Sequence, residues 1–221
     1  MSELINIENV DLGYSSQTKL LLNINLKIYE KDFIVIKGDN GSGKSTFLKL
    51  LYMKILPVEG KYFLFGNLIN NSARKKIIDF RKKLGVILQN NYLIPYFTVY
   101  KNVELPIQII NKDNINLKSR VREIISWVGL EKMVDSKIDD LSEGQKQKVI
   151  IARSLVSNPR ILIADEPLNN LDEQTQIRLS LLFDAINKLG TTIIISDRSD
   201  LLVSKRKNRF LDISEKKVIE K

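Results

Sequence analysis

Three short stretches of the chain carry residue types that could do chemistry together. The first is Gly38-Asp39-Asn40-Gly41-Ser42-Gly43-Lys44-Ser45, with Thr46 beside it. Glycines at 38, 41 and 43 let successive backbone N–H groups turn toward one point, which suits a phosphate at a helix N-terminus. Lys44 is placed to reach the β- and γ-phosphates of a nucleotide, and the Ser45 hydroxyl to ligate Mg²⁺. The second is Ile161-Leu162-Ile163-Ala164-Asp165-Glu166, an apolar run ending in two acids. Carboxylates at the carboxyl edge of a sheet stand where ligands collect. Asp165 is the candidate to hold Mg²⁺, directly or through water, and Glu166 to orient and deprotonate an attacking water. The third is Leu141-Ser142-Glu143-Gly144-Gln145, where Ser142 and Gly144 open a helix and can turn a hydroxyl and backbone N–H groups toward phosphate oxygens.

These groups work only if particular elements carry them. Phe33 to Ile36 is a continuous apolar run of the kind buried on both sheet faces, whereas Leu22, Ile24, Leu26 and Ile28 alternate as in a half-buried antiparallel strand. After the glycine-rich turn a helix is predicted from Lys44 to about Tyr52, stopped by Pro57. Strands are predicted at Tyr62 to Phe65 and Gly85 to Leu88, then a polar break at Gln89-Asn90-Asn91. From Thr98 to Val156 the period turns helical, with Gly129 closing one segment and Gly144 to Val156 forming another. The tail returns to strand and helix: Ile161 to Ala164, a helix from Glu173 to about Lys188 ended by Gly190, and a strand from Thr192 to Ile195. The expected organisation is one domain, with residues 1–90 and 157–221 as a nucleotide-binding core and 91–156 as an inserted helical lobe.

Composition narrows the chemistry further. The 221 residues, 43% hydrophobic, suffice for one substantial core. No apolar run approaches the roughly 20 residues that cross a bilayer, and the N-terminal residues carry Glu3 and Glu8 rather than a basic leader, so the chain is expected to stay where it is made. With no cysteine and no histidine, a general base must be a carboxylate or lysine and a metal must take oxygen ligands. The net charge of +9 includes runs at Arg74-Lys75-Lys76, Arg81-Lys82-Lys83 and Lys205-Arg206-Lys207. They read as dispersed, solvated faces, with an anionic membrane surface as the next reading. No aromatic platform or reading module accompanies them, so no nucleic-acid partner is expected.

In order and spacing, the three stretches resemble the ABC ATPase family, and Leu141 to Gln145 resembles its LSGGQ signature peptide. The resemblance covers essentially the whole chain. It implies an α/β P-loop NTPase fold with a RecA-like mixed, largely parallel sheet, an antiparallel β subdomain and an inserted helical lobe. By the same resemblance, Tyr14 stacks on adenine, Gln89 joins the magnesium site to the helical lobe, and Asn170-Leu171-Asp172 crosses a dimer interface. Gly38, Asn40, Gly41, Ser42, Gly43, Lys44, Ser45 and Thr46 would bind ATP, and Ser142, Gly144, Gln145 and Asp172 would meet the nucleotide held by an opposite subunit. The implied cofactors are ATP and Mg²⁺. The implied partners are a second ATPase subunit, head to tail, and an integral membrane subunit docked near Gln89 and the lobe, on the cytoplasmic face of the inner membrane. Leu93-Ile94-Pro95, Thr98-Val99-Tyr100 and Asn102-Val103, with Leu84-Gly85-Val86 and Asn169-Asn170-Leu171-Asp172, are similar to the branch containing the cell-division ATPase FtsE and the lipoprotein-release and macrolide-export ATPases.

Two departures stand out. The family carries a histidine after the strand that starts at Thr192, and this chain has Ser196 followed by Asp197. A serine hydroxyl cannot become cationic, and losing one donor to developing phosphate charge costs about 10² to 10³ in rate, so slow turnover is expected. Glu143 replaces the first signature glycine, with its side chain expected to point to solvent. A second reading is therefore a nucleotide-gated binding module with little hydrolysis. A DNA-repair or chromosome-structure ATPase is a third, for whose long insertions this spacing leaves no room.

Overall fold

A computed structural model describes residues 2–15, 17–88, 93–110, 117–169, 171–197 and 208–221. Strands β1 (Glu3–Ser15) and β2 (Thr18–Tyr29) pair antiparallel, and β3 (Phe33–Lys37) leads into helix α1 (Lys44–Leu51). Strands β4 (Glu59–Leu64) and β5 (Asn67–Leu68) complete a four-stranded sheet of order β2-β1-β4-β5. Its inner face is less regular than the alternation suggests. Asn23 takes a left-handed φ of 48° and the register with β1 slips, so Leu21 rather than Leu22 is buried beside Ile24, Leu26 and Ile28. Asn9, at φ 50°, breaks the period of β1 in the same way, which hides that strand from a pattern search.

The second sheet contains β6 (Leu84–Ile87), β7 (Ile161–Asp165), β8 (Thr192–Ser196), β9 (Arg209–Ser214) and β10 (Lys217–Glu220), in the order β10-β9-β3-β8-β7-β6. All neighbours are parallel except the β9–β10 hairpin. That hairpin escapes sequence inspection because its turn is Glu215-Lys216, at φ 48° and 62°, without the glycine or asparagine that marks such turns. In β3, Phe33 and Val35 enter one apolar cluster while Ile34 and Ile36 enter another, as a strand buried on both faces must.

Helix α1 ends at Leu51, well before Pro57. Met53 adopts a left-handed φ of 60°, and the N–H groups of Met53 and Lys54 bond the carbonyls of Leu50 and Lys49, which closes the last turn without glycine. Helix α2 (Arg74–Arg81), unpredicted because only Ile77 and Phe80 face inward, precedes β6. The lobe holds α3 (Val99–Ile109), α4 (Leu117–Trp127) and α5 (Glu143–Leu155), and α6 (Glu173–Lys188) follows β7. Pro106 sits inside α3 rather than ending it; the buried Val103 and Ile107 flank it in sequence and hold the helix against the core. One cluster joins Val103, Ile124 and Val149 of the lobe to Val35, Leu162 and Ile195 of the sheet and Phe183 of α6. The lobe thus extends the core of the sheet rather than carrying its own.

Asn102 anchors the lobe's entrance. Its buried amide accepts from Ile94 N at 2.9 Å and donates to the carbonyls of Ile94 and Thr98 at 3.1 Å. Asn102→Ala is expected to cost about 1–3 kcal/mol by stranding these groups; urea denaturation followed by circular dichroism measures the loss.

Candidate functional site

The turn from β3 into α1 forms the base of the site. Gly38 has φ 142°, and a Cβ there would sit 2.4 Å from the Ile213 carbonyl oxygen and 2.8 Å from Ser42 Oγ, so only glycine fits. Gly43, at φ 110°, is the N-cap of α1 and offers no side-chain cap, leaving the first-turn N–H groups for an external acceptor. The Ser42 hydroxyl is buried with no hydrogen-bond partner among the described residues, and an anion in the turn would accept its proton. Lys44 folds back, its Nζ donating to the carbonyls of Gly38 at 2.6 Å and Asp39 at 2.8 Å. A cleft of about 300 Å³ is lined by Leu20, Asn40, Gly41, Gly43, Lys44, Ser45, Thr46 and Glu166. The phosphate-binding turn and the candidate base therefore face one space, and the donor set fits a polyphosphate.

Glu166 reaches that space because β7, β8 and β3 end at the same edge. Register pairs Ile36 with Ser196 and Asp165 with Ser196, so the tip of β8 lies between the turn and the two acids. Asp165 and Glu166 are both buried. Glu166 takes a left-handed φ of 47°, a conformation costing a side-chain-bearing residue on the order of 1–3 kcal/mol. Its N–H donates to both the carbonyl and the Oγ of Ser196, each at 3.1 Å, and Asn169 Nδ2 donates to its Oε2. These bonds hold the strained residue in place.

Ser196 occupies a different position from that expected of it. Strand β8 runs one residue past Ile195, so Ser196 belongs to the strand and is fully buried. Its hydroxyl donates to Asp165 Oδ1 at 2.5 Å while accepting from Glu166 N. Asp197 is the first residue beyond the strand; it too is buried, and its N–H donates to the Ile36 carbonyl at 3.3 Å. Asp197 and Asn169 are the residues sequence inspection left without a role. In the sequence Asn169 stands out only as part of a longer motif, and Asp197 only as the neighbour of Ser196.

The remaining candidates divide between near and far. Tyr14 is 67% exposed and lies over α1, its hydroxyl accepting from Lys49 Nζ at 3.4 Å. That bond, with one from Thr46, holds its phenol below the usual tyrosine range. The ring is thus an open platform beside the turn. Ser142, Gly144 and Gln145 do not line the cleft. Ser142 caps α5, with Gln145 N donating to Ser142 Oγ at 3.3 Å and Ser142 N to Gln145 Oε1 at 2.9 Å. Glu143 turns to its own helix, 2.9 Å from Lys146 Nζ, with its side chain exposed as expected. Asp172 caps α6, accepting from Thr175 N at 2.9 Å; hydrogen bonds from Thr175 hold its carboxyl below the usual range. Gln89 and Asn170 lie outside the described residues, as does the basic run at 205–207.

A family model described as ABC transporter matches residues 21–169. The chain is 32% identical over 216 residues to the cell division ATP-binding protein FtsE of Streptococcus pneumoniae, covering 98% of this chain and 94% of that protein. It is 33% identical over 212 residues to FtsE of Bacillus subtilis, covering 96% and 93%. Among solved structures, a dimeric bacterial ABC transporter cassette superposes with a TM-score of 0.90 at 30% identity, over 99% of this chain and 98% of the other.

The double use of the Ser196 hydroxyl can be checked directly. Ser196→Ala removes the hydroxyl donor to the buried Asp165 Oδ1, while the Glu166 N–H keeps the Ser196 carbonyl, and is expected to lower stability by about 1–3 kcal/mol in urea titration.

Proposed function

The chain belongs to the ABC transporter family as an ATP-binding subunit, and we propose that two such subunits close head to tail around MgATP, which they hydrolyse to drive an integral membrane partner from the cytoplasmic face of the inner membrane. The observation that carries this reading is the single cleft shared by Lys44, Ser45, Thr46 and Glu166, while the signature residues of the same chain lie elsewhere. A cleft with a base and a phosphate cradle, but no lid among the described residues, is completed by the Ser142 peptide of a second subunit. The exposed ring of Tyr14 beside it suits adenine.

Bound MgATP supplies the γ-phosphoryl group and the divalent charge that offsets the phosphates. The protein's part follows from its own residues. Lys44 exchanges two bonds to neutral carbonyls for bonds to phosphate oxygens of opposite charge, so the folded-back lysine is no barrier to binding. Ser45 offers its hydroxyl and Asp165 a carboxylate oxygen, a donor set that magnesium accepts while keeping water in its shell. Ser196 positions Asp165, and Glu166, fixed by Ser196 and Asn169, takes the proton of the attacking water. Gln89 is assigned to the magnesium site and the link to the lobe. The membrane partner docks in a groove of about 460 Å³, whose lobe side includes Leu105, Pro106, Ile109 and Arg153.

Turnover is slow on this reading, because the chain has no histidine and a carboxylate, Asp197, follows β8. The same feature favours the second reading, an ATP-gated module that closes without efficient hydrolysis. One set of rate measurements separates them. Glu166→Gln is expected to lower phosphate release by about 10² or more while ATP binding and an ATP-dependent dimer persist on size exclusion. Asp197→His is expected to raise the rate of the natural chain by at least about tenfold, toward the value of one added donor. If the natural chain is no faster than Glu166→Gln, the binding-module reading replaces the ATPase.

A further inference from the structure

Two basic runs that look scattered in the sequence meet on one face. Residues 74–83 hold six cations against the single acid Asp79, in a chain whose net charge is +9. Helix α2 turns Ile77 and Phe80 inward and leaves all six cations exposed. Some are engaged locally. Lys82 takes Asp79 at 3.3 Å, Lys76 bonds Asn67 at 3.2 Å, and Arg81 donates to the carbonyls of Tyr52 and Met53. Lys83 stands over the rings of Phe65 and Phe80. Arg74, Lys75 and the adjacent Lys54 have no acidic partner among the described residues.

Lys54, Arg74 and Arg81 line a cleft of about 460 Å³. Ile78 and Arg81 belong both to that cleft and to the groove assigned above to the membrane partner, so the two are continuous. Ile78, 57% exposed, stands at their shared edge. An exposed basic run is ordinarily just solvated. Here three features coincide: an excess of unpaired positive charge, an exposed branched apolar side chain on the same short helix, and continuity with an apolar groove.

We infer that the α2 face rests on an anionic phospholipid surface. Lys54, Arg74 and Lys75 meet the headgroup charges, and Ile78 enters the boundary between headgroups and acyl chains. Charge complementarity selects this occupant, since a juxtamembrane cation contributes about a fivefold factor to partitioning onto acidic lipid. Three cations and one isoleucine make a reversible contact rather than an anchor. It orients the ATPase with its docking groove toward the bilayer before any protein partner is engaged. The inference does not depend on nucleotide chemistry.

Sedimentation of the full chain with protein-free vesicles tests it, comparing phosphatidylcholine alone with phosphatidylcholine mixed with phosphatidylglycerol, at low and high salt. Binding is expected only to the anionic vesicles and only at low salt. Arg74→Glu with Lys75→Glu is expected to reduce it by at least about tenfold, and Ile78→Ser to reduce it by a smaller factor, with ATP binding by both variants reporting that they fold. Equal binding to neutral vesicles, or full binding by either variant, overturns the inference. So does absence of binding to any protein-free vesicle, which assigns the face to an acidic segment of a protein partner; retention on duplex DNA in place of vesicles overturns it in favour of nucleic acid.

Discussion

The site depends on one constraint: three parallel strands must end together, with the tip of β8 wedged between the phosphate-binding turn and the acids of β7. That register brings the Ser196 hydroxyl to Asp165 Oδ1 and beneath the Glu166 amide. Glu166 then adopts a backbone conformation it would not choose alone, held there by two acceptors on one residue. A shift of one residue in β8 would turn Ser196 to the opposite face and leave both acids unsupported, because side chains alternate along a strand. The buried faces of β3, β7 and β8 make such a slip costly.

Most of the candidate ligand-binding groups already have partners within the chain. Lys44 is held by carbonyls of its own turn, Ser142 and Gln145 cap each other, and Asp172 caps α6. Each bond is a modest one, about 0.5–1.5 kcal/mol net for the neutral Ser142–Gln145 pair and about 1.5–3 kcal/mol where Lys44 brings a charge. Ser42 Oγ is the exception, buried without a partner among the described residues. The left-handed backbone of Glu166 and the orphan hydroxyl of Ser42, one at the cleft and one within its glycine-rich turn, are the local irregularities of this edge of the sheet.

The lobe is mechanically continuous with this arrangement. Helix α5 begins at the signature peptide, and Gln147 within it donates to the Pro167 carbonyl at 2.9 Å, immediately beyond Glu166. The apolar cluster that joins the lobe to Val35, Leu162 and Ile195 has no seam where the lobe could be detached. Packed side chains thus run without a break from α3 to the strands that present the acids.

By itself the sequence determined the motifs, the family they resemble and most of the elements. Glycine spacing at 38, 41 and 43, the apolar run ending in Asp165-Glu166, and the periods of α1, α5 and α6 are local signals, because backbone freedom, burial and helix capping depend on neighbours in the chain. Residues whose state depends on distant partners were not legible. Asn9, Asn23 and Met53 take left-handed conformations that shift β1, β2 and the end of α1, and β9–β10 turns through Glu215-Lys216 without the usual residues. Helix α2 buries too few side chains to show a period, so its cations looked dispersed until it folded against β6 and gathered them on one face. Ser196 could be assigned to a phosphate-facing role only by counting from a strand end that was one residue short. The tertiary structure alone decided that its hydroxyl faces Asp165, because that direction is set by pairing with strands some thirty and some hundred and sixty residues away.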